Sequence, residues 1–290
     1  MKNKEVKIMK MFHKIVFATD FSESSLKAGE WAKYLSKISG SRLEIISVTE
    51  GVSPFYKMLL GWTTILDENS NNHKHKMFSE LEKIKKKFLD DGVNGVDVYL
   101  KEGTPHWEIV DFLDYTKSSL VVLSNSSKGE EIGSTAYEVA CLSPSNVLIV
   151  KGEKEPKIKN IVVGIDFSKY SRNAFIIALA IAKTFSAKIY NAHVLDMKVK
   201  NFVPENLFDE LILELNLELT KVIEGIEIEP VIIESEGDGK ALSNWAKIND
   251  IDLIVIAYKG INDRTQFLGH FADEVIRSSS VPILLIRKFY

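Results

Sequence analysis

The chain contains its own sequence twice. KIVFATDFSESSLKAGEWAKYLSKISGSRLEIISV begins at Lys14, and NIVVGIDFSKYSRNAFIIALAIAKTFSAKIYNAHV begins at Asn160. Each reads as an apolar β-branched run, then Asp-Phe-Ser, then an amphipathic helical pattern, then a second apolar run. Asp20 pairs with Asp166 and Val48 with Val194, both at an offset of 146, so this stretch aligns without a gap. Downstream, EGTPHWEIVDFLDYTKSSLVVLSNSSKG matches SEGDGKALSNWAKINDIDLIVIAYKG, and Gly103 pairs with Gly237 at an offset of 134. The first copy is therefore 12 residues longer somewhere in Gly51–Lys76. The tails match too: GSTAYEVACLSPSNVLIVK from Gly133 against GHFADEVIRSSSVPILLIRK from Gly269. A repeat this long and this ordered restricts the chain to two copies of one folding unit.

Runs such as IVVGI, LIVIA and VLIV are short, continuous and apolar, the pattern of strands covered on both faces. Strands are predicted at 13–19, 43–49, 96–100, 119–124 and 146–150, and again at 159–165, 187–194, 229–234, 252–257 and 282–286. Helices lie between them. In the first copy Met77, Leu81, Ile84 and Phe88 form one apolar stripe, with the Lys85–Lys87 run largely off it on a solvated face. In the second copy the stripe is Phe208, Leu211, Leu215, Leu219 and Ile223, with Leu213 and Leu217 outside it. Regular strand–helix alternation gives an α/β fold: two tandem domains, 12–151 and 158–288, each a doubly wound five-stranded parallel sheet. The linker GEKEPKIK is too short to let the two drift far apart. Each copy ends in an apolar strand, VLIV at 147–150 and ILLI at 283–286, whose free edge invites aggregation. Antiparallel pairing of the two would satisfy both, as an internal pseudo-dimer.

The bulk numbers exclude several classes. With 37 basic and 40 acidic residues the formal net charge is -3, so no basic excess points to nucleic acid or an anionic membrane surface. A single cysteine, Cys141, leaves no internal disulfide framework. It reads as a buried thiol on the last helix of its copy. No apolar run approaches the roughly 18 residues of a membrane span. The opening MKNKEVKIMKMFHK lacks the apolar segment of a secretory signal, and a cytoplasmic protein is expected.

In open α/β sheets ligands sit beyond the carboxyl ends of the strands. Asp20 and Asp166 end the first strand of each copy and should project there. A carboxylate at that place can accept hydrogen bonds from an adenine or a ribose. Alternatively, Asp-Phe-Ser only starts the next helix, with Ser22 and Ser168 as N-caps, which leaves the Asp unexplained. The second candidate place follows strand 4, where a glycine-bearing turn leads into a helix N-terminus able to hold phosphate. Copy two offers Gly260, a loop with Asn262, Asp263 and Arg264, then Gly269-His270. Copy one offers Ser124, Ser127, Lys128 and Gly129, then Gly133-Ser134-Thr135. Neither a dinucleotide fingerprint nor a P-loop occurs. His73 and His75 sit in DENSNNHKHK, which reads as a mobile polar loop without metal-ligand company. His106 reads as a capping or surface residue. His193 either flanks a bound base or packs structurally.

Taken together, the Asp, the loop and the strand order make the chain from about residue 12 to 288 resemble two universal stress protein domains. The resemblance implies an adenine-nucleotide hydrolase-like α/β fold, ATP bound through an Asp after strand 1 and a G-x2-G-x9-G-[ST] loop, and pairing through the terminal strand. Both loops depart from that pattern. In copy two the first glycine is Ala257, Gly260 and Gly269 fit, the spacer is one residue short, and His270 replaces the hydroxyl residue. In copy one both leading glycines are serines and the spacer is four residues short, though Gly133-Ser134 match. The expectation is an adenine nucleotide (AMP, ADP or ATP) or none, bound in the second copy through Asp166, His193, Ala257, Gly260, Arg264, Gly269 and His270. Asp20, Gly133 and Ser134 are the altered counterpart. A non-catalytic stress or regulatory protein is expected. Its rival is an interaction scaffold with vestigial sites, with a homodimer or an unidentified protein partner as further possibilities.

Overall fold

The computed structural model describes residues 12–49, 64–125, 132–152, 155–200, 225–236, 238–260 and 268–288, together with Leu207 and Glu210. The first lobe runs β1 (Lys14–Ala18), α1 (Glu23–Ser39), β2 (Arg42–Thr49), α2 (Thr64–Asp90), β3 (Val96–Glu102), α3 (Pro105–Thr116), β4 (Leu120–Ser124), α4 (Ser134–Leu142) and β5 (Asn146–Val150). The second runs β6 (Asn160–Gly164), α5 (Lys169–Phe185), β7 (Lys188–Asp196), α6 (Met197–Lys200), β8 (Ile228–Ser235), α7 (Gly239–Ile248), β9 (Leu253–Ala257), α8 (His270–Ser278) and β10 (Ile283–Ile286). Every predicted strand is present. No helix among the described residues is long and apolar enough to cross a membrane.

Within each lobe all strands are parallel, and the two five-stranded sheets join into one: β3-β2-β1-β4-β5-β10-β9-β6-β7-β8. The join is the antiparallel pair β5–β10, with Leu148 opposite Leu284. Alternation along each strand divides the core. Ile15 and Phe17 face the layer built from α1, α2 and α5, while Val16 and Ala18 face α3, α4, α7 and α8. Each layer is shared by both lobes. On the first face Tyr34 stacks on Phe185, ring centroids 5.3 Å apart. On the second, the Arg277 guanidinium lies 4.3 Å from the Tyr137 ring centre.

Two corrections concern the helices. DENSNNHKHK is not a loop: it belongs to α2, a helix of 27 residues. Leu81 and Phe88 anchor that helix in the core, and once it is nucleated each further residue adds a backbone bond at little cost, polar side chains included. His73 and His75 are exposed on it. Cys141 is half-buried rather than buried, and burial pushes its thiol pKa up. The predicted stripe 208–223 lies outside the described residues apart from Glu210.

A reciprocal pair of cations ties the lobes together. Lys151 follows β5 and is 4% exposed; its ammonium donates to the Ile276 carbonyl at the end of α8, in the other lobe. Arg287 follows β10 and donates to Ala140 O (2.9 Å) and Cys141 O at the end of α4. Each lobe thus supplies the cation that meets the carbonyl end of the other lobe's last helix, where the helix dipole is negative. Burial lowers the Lys151 pKa to about 8. A lysine whose pKa is lower folded than unfolded binds fewer protons in the fold between pH 8 and its ordinary 10.5, so stability rises with pH across that window. Relative to Lys151→Met, the wild type should gain about 3 kcal/mol of unfolding free energy from pH 8 to 10.5. Parallel curves for the two proteins in denaturant titrations would refute this.

Candidate functional site

The carboxyl ends of the strands form a crevice in each lobe, and local sequence shapes it in the same way twice. After β1 and β6 the chain must turn at once into a helix. Asp20 Oδ1 accepts the Ser22 N–H at 3.0 Å and its hydroxyl at 2.5 Å; Asp166 Oδ1 accepts the Ser168 N–H at 3.0 Å. These Asx turns hold Phe21 and Phe167 in the left-handed region, at φ 63° and 62°. Ser22 and Ser168 then cap α1 and α5 by accepting from Ser25 N and Ser171 N. Both sequence readings of Asp-Phe-Ser therefore have a place: the serines cap, and each Asp makes the turn while also lining the crevice. At Asp20 burial raises the pKa, but the hydrogen bonds from Ser22 outweigh it and leave the carboxyl below its usual value.

Gly133 and Gly269, which precede α4 and α8, line the cavities and also tie the chain back to the fourth strand of their lobe. Gly133 and Gly269 sit at φ -66° and -69°, so neither uses the left-handed region. Their N–H groups are already engaged, with Asn125 O at 2.6 Å and Tyr258 O at 2.8 Å. Each bond joins the end of the lobe's fourth strand to the start of its last helix. The donors left to face a ligand are the next N–H groups, Ser134–Ala136 and His270–Ala272, and neither helix has a side-chain cap. By contrast α7 is capped by Asp238.

In lobe two, Asp166, His193, Ala257, Gly260, Gly269 and His270 line one cavity of about 570 Å³. Arg264 lies outside the described residues. His193 falls within β7, which continues to Asp196; its Nδ1 donates to Ile165 O at 2.7 Å, and its ring packs 5.0 Å from Phe167. Gly260 is small for a reason the motif does not reveal: a Cβ there would stand 2.8 Å from Asp166 Oδ2. His270 lies 3.4 Å from Glu274, whose other oxygen accepts the Gly239 N–H at 2.8 Å. The Tyr258 ring carries the Arg287 guanidinium at 4.6 Å and the Lys259 ammonium at 5.2 Å. Among the described residues no group of three His, Cys, Asp or Glu is placed to hold a metal ion.

In lobe one, Asp20, Gly133 and Ser134 line a smaller cavity of about 360 Å³. The difference starts at its floor. Parallel register pairs Gly164 with Ala192 in lobe two, and Ala18 with Ile46 in lobe one. A branched side chain thus fills lobe one where lobe two has a methyl group. These residues were missed because they lie in strands and carry no reactive group. The gapless offset of 146 already paired Ile46 with Ala192, and that size difference was the available signal.

Gly260→Ala should cost about 1–2 kcal/mol of stability, because the turn fixes the carboxylate that the new methyl meets. In an Asp166→Ala background the cost should fall by at least half. A double-mutant cycle in urea measures the coupling, and strict additivity would refute it.

Comparison with known proteins agrees with this architecture. A sequence model described as the universal stress protein family matches residues 11–151 and again 157–287. The universal stress protein YxiE of Bacillus subtilis is 30% identical over 149 residues, 49% of this chain and the whole of that protein. A universal stress protein of Methanocaldococcus jannaschii is 32% identical over 151 residues, 50% of this chain and 85% of that one. In structure, a universal stress protein from Archaeoglobus fulgidus covers 96% of this chain and 99% of its own at TM-score 0.72 with 20% identity. With its two matched segments spanning nearly the whole length, the chain belongs to the universal stress protein family, as a tandem of two domains.

Proposed function

We propose that the protein binds one adenine nucleotide per chain, in lobe two, and acts as a cytoplasmic stress or regulatory protein without appreciable turnover. The observation that carries the reading is the lobe-two cavity. About 570 Å³ is within the range of small-molecule sites, and it joins the Asp166 carboxylate to the uncapped N-terminus of α8. The Ala192 methyl at its floor leaves room for a base, and the α8 N–H groups with Lys259 and His270 supply the anion-binding end. Fixed N–H dipoles hold a ground-state phosphate as well as a transition state, which favours binding over catalysis.

Ala192→Ile should weaken AMP, ADP and ATP at least tenfold, about 1.4 kcal/mol, by filling the floor with a side chain lobe one already accommodates at Ile46. Its melting temperature without ligand should stay within a few degrees of wild type. Calorimetry showing unchanged nucleotide affinity in this variant would place the ligand elsewhere. On turnover, ATP hydrolysis should be near background and insensitive to Asp166→Ala; a rate well above background that this substitution abolishes would make the protein an enzyme.

A further inference from the structure

The two crevices differ in more than size. In lobe two, α7 begins at Gly239, where a Cβ would stand 2.5 Å from Phe271 O and 2.9 Å from Val275 N. That contact, with the Glu274 bond to Gly239 N–H, draws α7 onto α8 and closes the gap between them. In lobe one the corresponding position is Pro105, a residue with a bulky ring and no N–H to donate. The lobe-one cavity accordingly extends to α3, and Pro105 and Ile109 become part of its wall. In lobe two, Gly239 and Ser243 are absent from the wall, while Leu268 is part of it. The lobe-one crevice reaches α3 although it is the smaller of the two.

Its chemistry has changed too. The apolar side is Ile46, Val48, Leu123 and the two α3 residues; the polar side is Thr19, Ser25, Ser124, Asn125, Ser134 and Thr135. Among the described residues lining it, Asp20 is the one charged group. In lobe two, Lys259 and His270 stand with Asp166. Among the described residues, a dianionic phosphate entering lobe one would meet a full carboxylate charge opposed by the partial charge of a helix end. A molecule bearing hydroxyl groups, by contrast, can donate to the carboxylate through one and accept from the α4 N–H groups through another.

We infer that lobe one is a second, separate binding site that takes an uncharged, hydroxyl-bearing molecule of nucleoside size or smaller and rejects its phosphorylated form. Occupancy of the two lobes would then report two different compounds.

The test is calorimetry on the full chain carrying Ala192→Ile, with adenosine, uridine, ribose and AMP as probes. At least one uncharged probe should bind at one per chain, and AMP should bind at least tenfold more weakly than adenosine. Adding Asp20→Asn, whose amide oxygen can keep the Asx turn, should weaken that probe at least fivefold while the chain stays folded, with a melting temperature only modestly lowered by loss of the charge-assisted bonds from Ser22. AMP binding as tightly as adenosine, no binding of any uncharged probe, or indifference to Asp20→Asn would each overturn the inference. The inference does not rest on nucleotide binding in lobe two. If wild type fails to take AMP while the Ala192→Ile chain still takes an uncharged probe, only the lobe-two proposal falls.

Discussion

The antiparallel pairing of β5 with β10 is the contact on which the rest of the molecule depends. Both strands are fully buried, and each would otherwise be the exposed, apolar edge of a parallel sheet. Pairing turns two marginal edges into the middle of a ten-stranded sheet, and the helices on each face then share one core. The pairing also fixes where the crevices lie. A parallel sheet places its ligand site at its carboxyl end, and an approximate two-fold at the join points those ends in opposite directions along the strands.

The join is nearly symmetric in its backbone and asymmetric in its side chains. Lys151 and Arg287 occupy equivalent positions and reach equivalent helix ends, but a lysine can give up its proton where an arginine does not. Asn146 begins β5 and accepts Arg287 N–H and Lys288 N–H through its side chain, at 2.8 and 3.0 Å. Its counterpart Pro282 offers nothing comparable. Duplication followed by independent change leaves this mark: the shared frame persists, and the contacts that need no symmetry drift.

The same drift separates the crevices. What stays common is the machinery that builds the turn: the Asx bond of Asp20 and Asp166, the left-handed Phe, the Ser cap, and the backbone bonds of Gly133 and Gly269. What differs is volume and charge, set by Ile46 against Ala192, Pro105 against Gly239, and the basic groups found in lobe two. The conserved frame therefore says little about the ligand, and the divergent residues say most.

The amino-acid order by itself determined the repeat, the ten strands and the approach of Asp20, Asp166 and the α4 and α8 N-termini to the crevices. All of these are local: apolar period, turn chemistry and capping act within a few residues. The antiparallel join was also legible, because an apolar terminal strand left as an edge is unfavourable wherever it lies. What only the tertiary structure decided is what each group faces. Gly260 is small because Asp166 Oδ2 stands where its Cβ would go, and Gly239 because α8 backbone does. The polar stretch 67–76 became helix because α2 is anchored further along, at Leu81 and Phe88. Such contacts are tertiary, and no local pattern encodes a distance that closes only when the elements of a lobe pack onto its sheet.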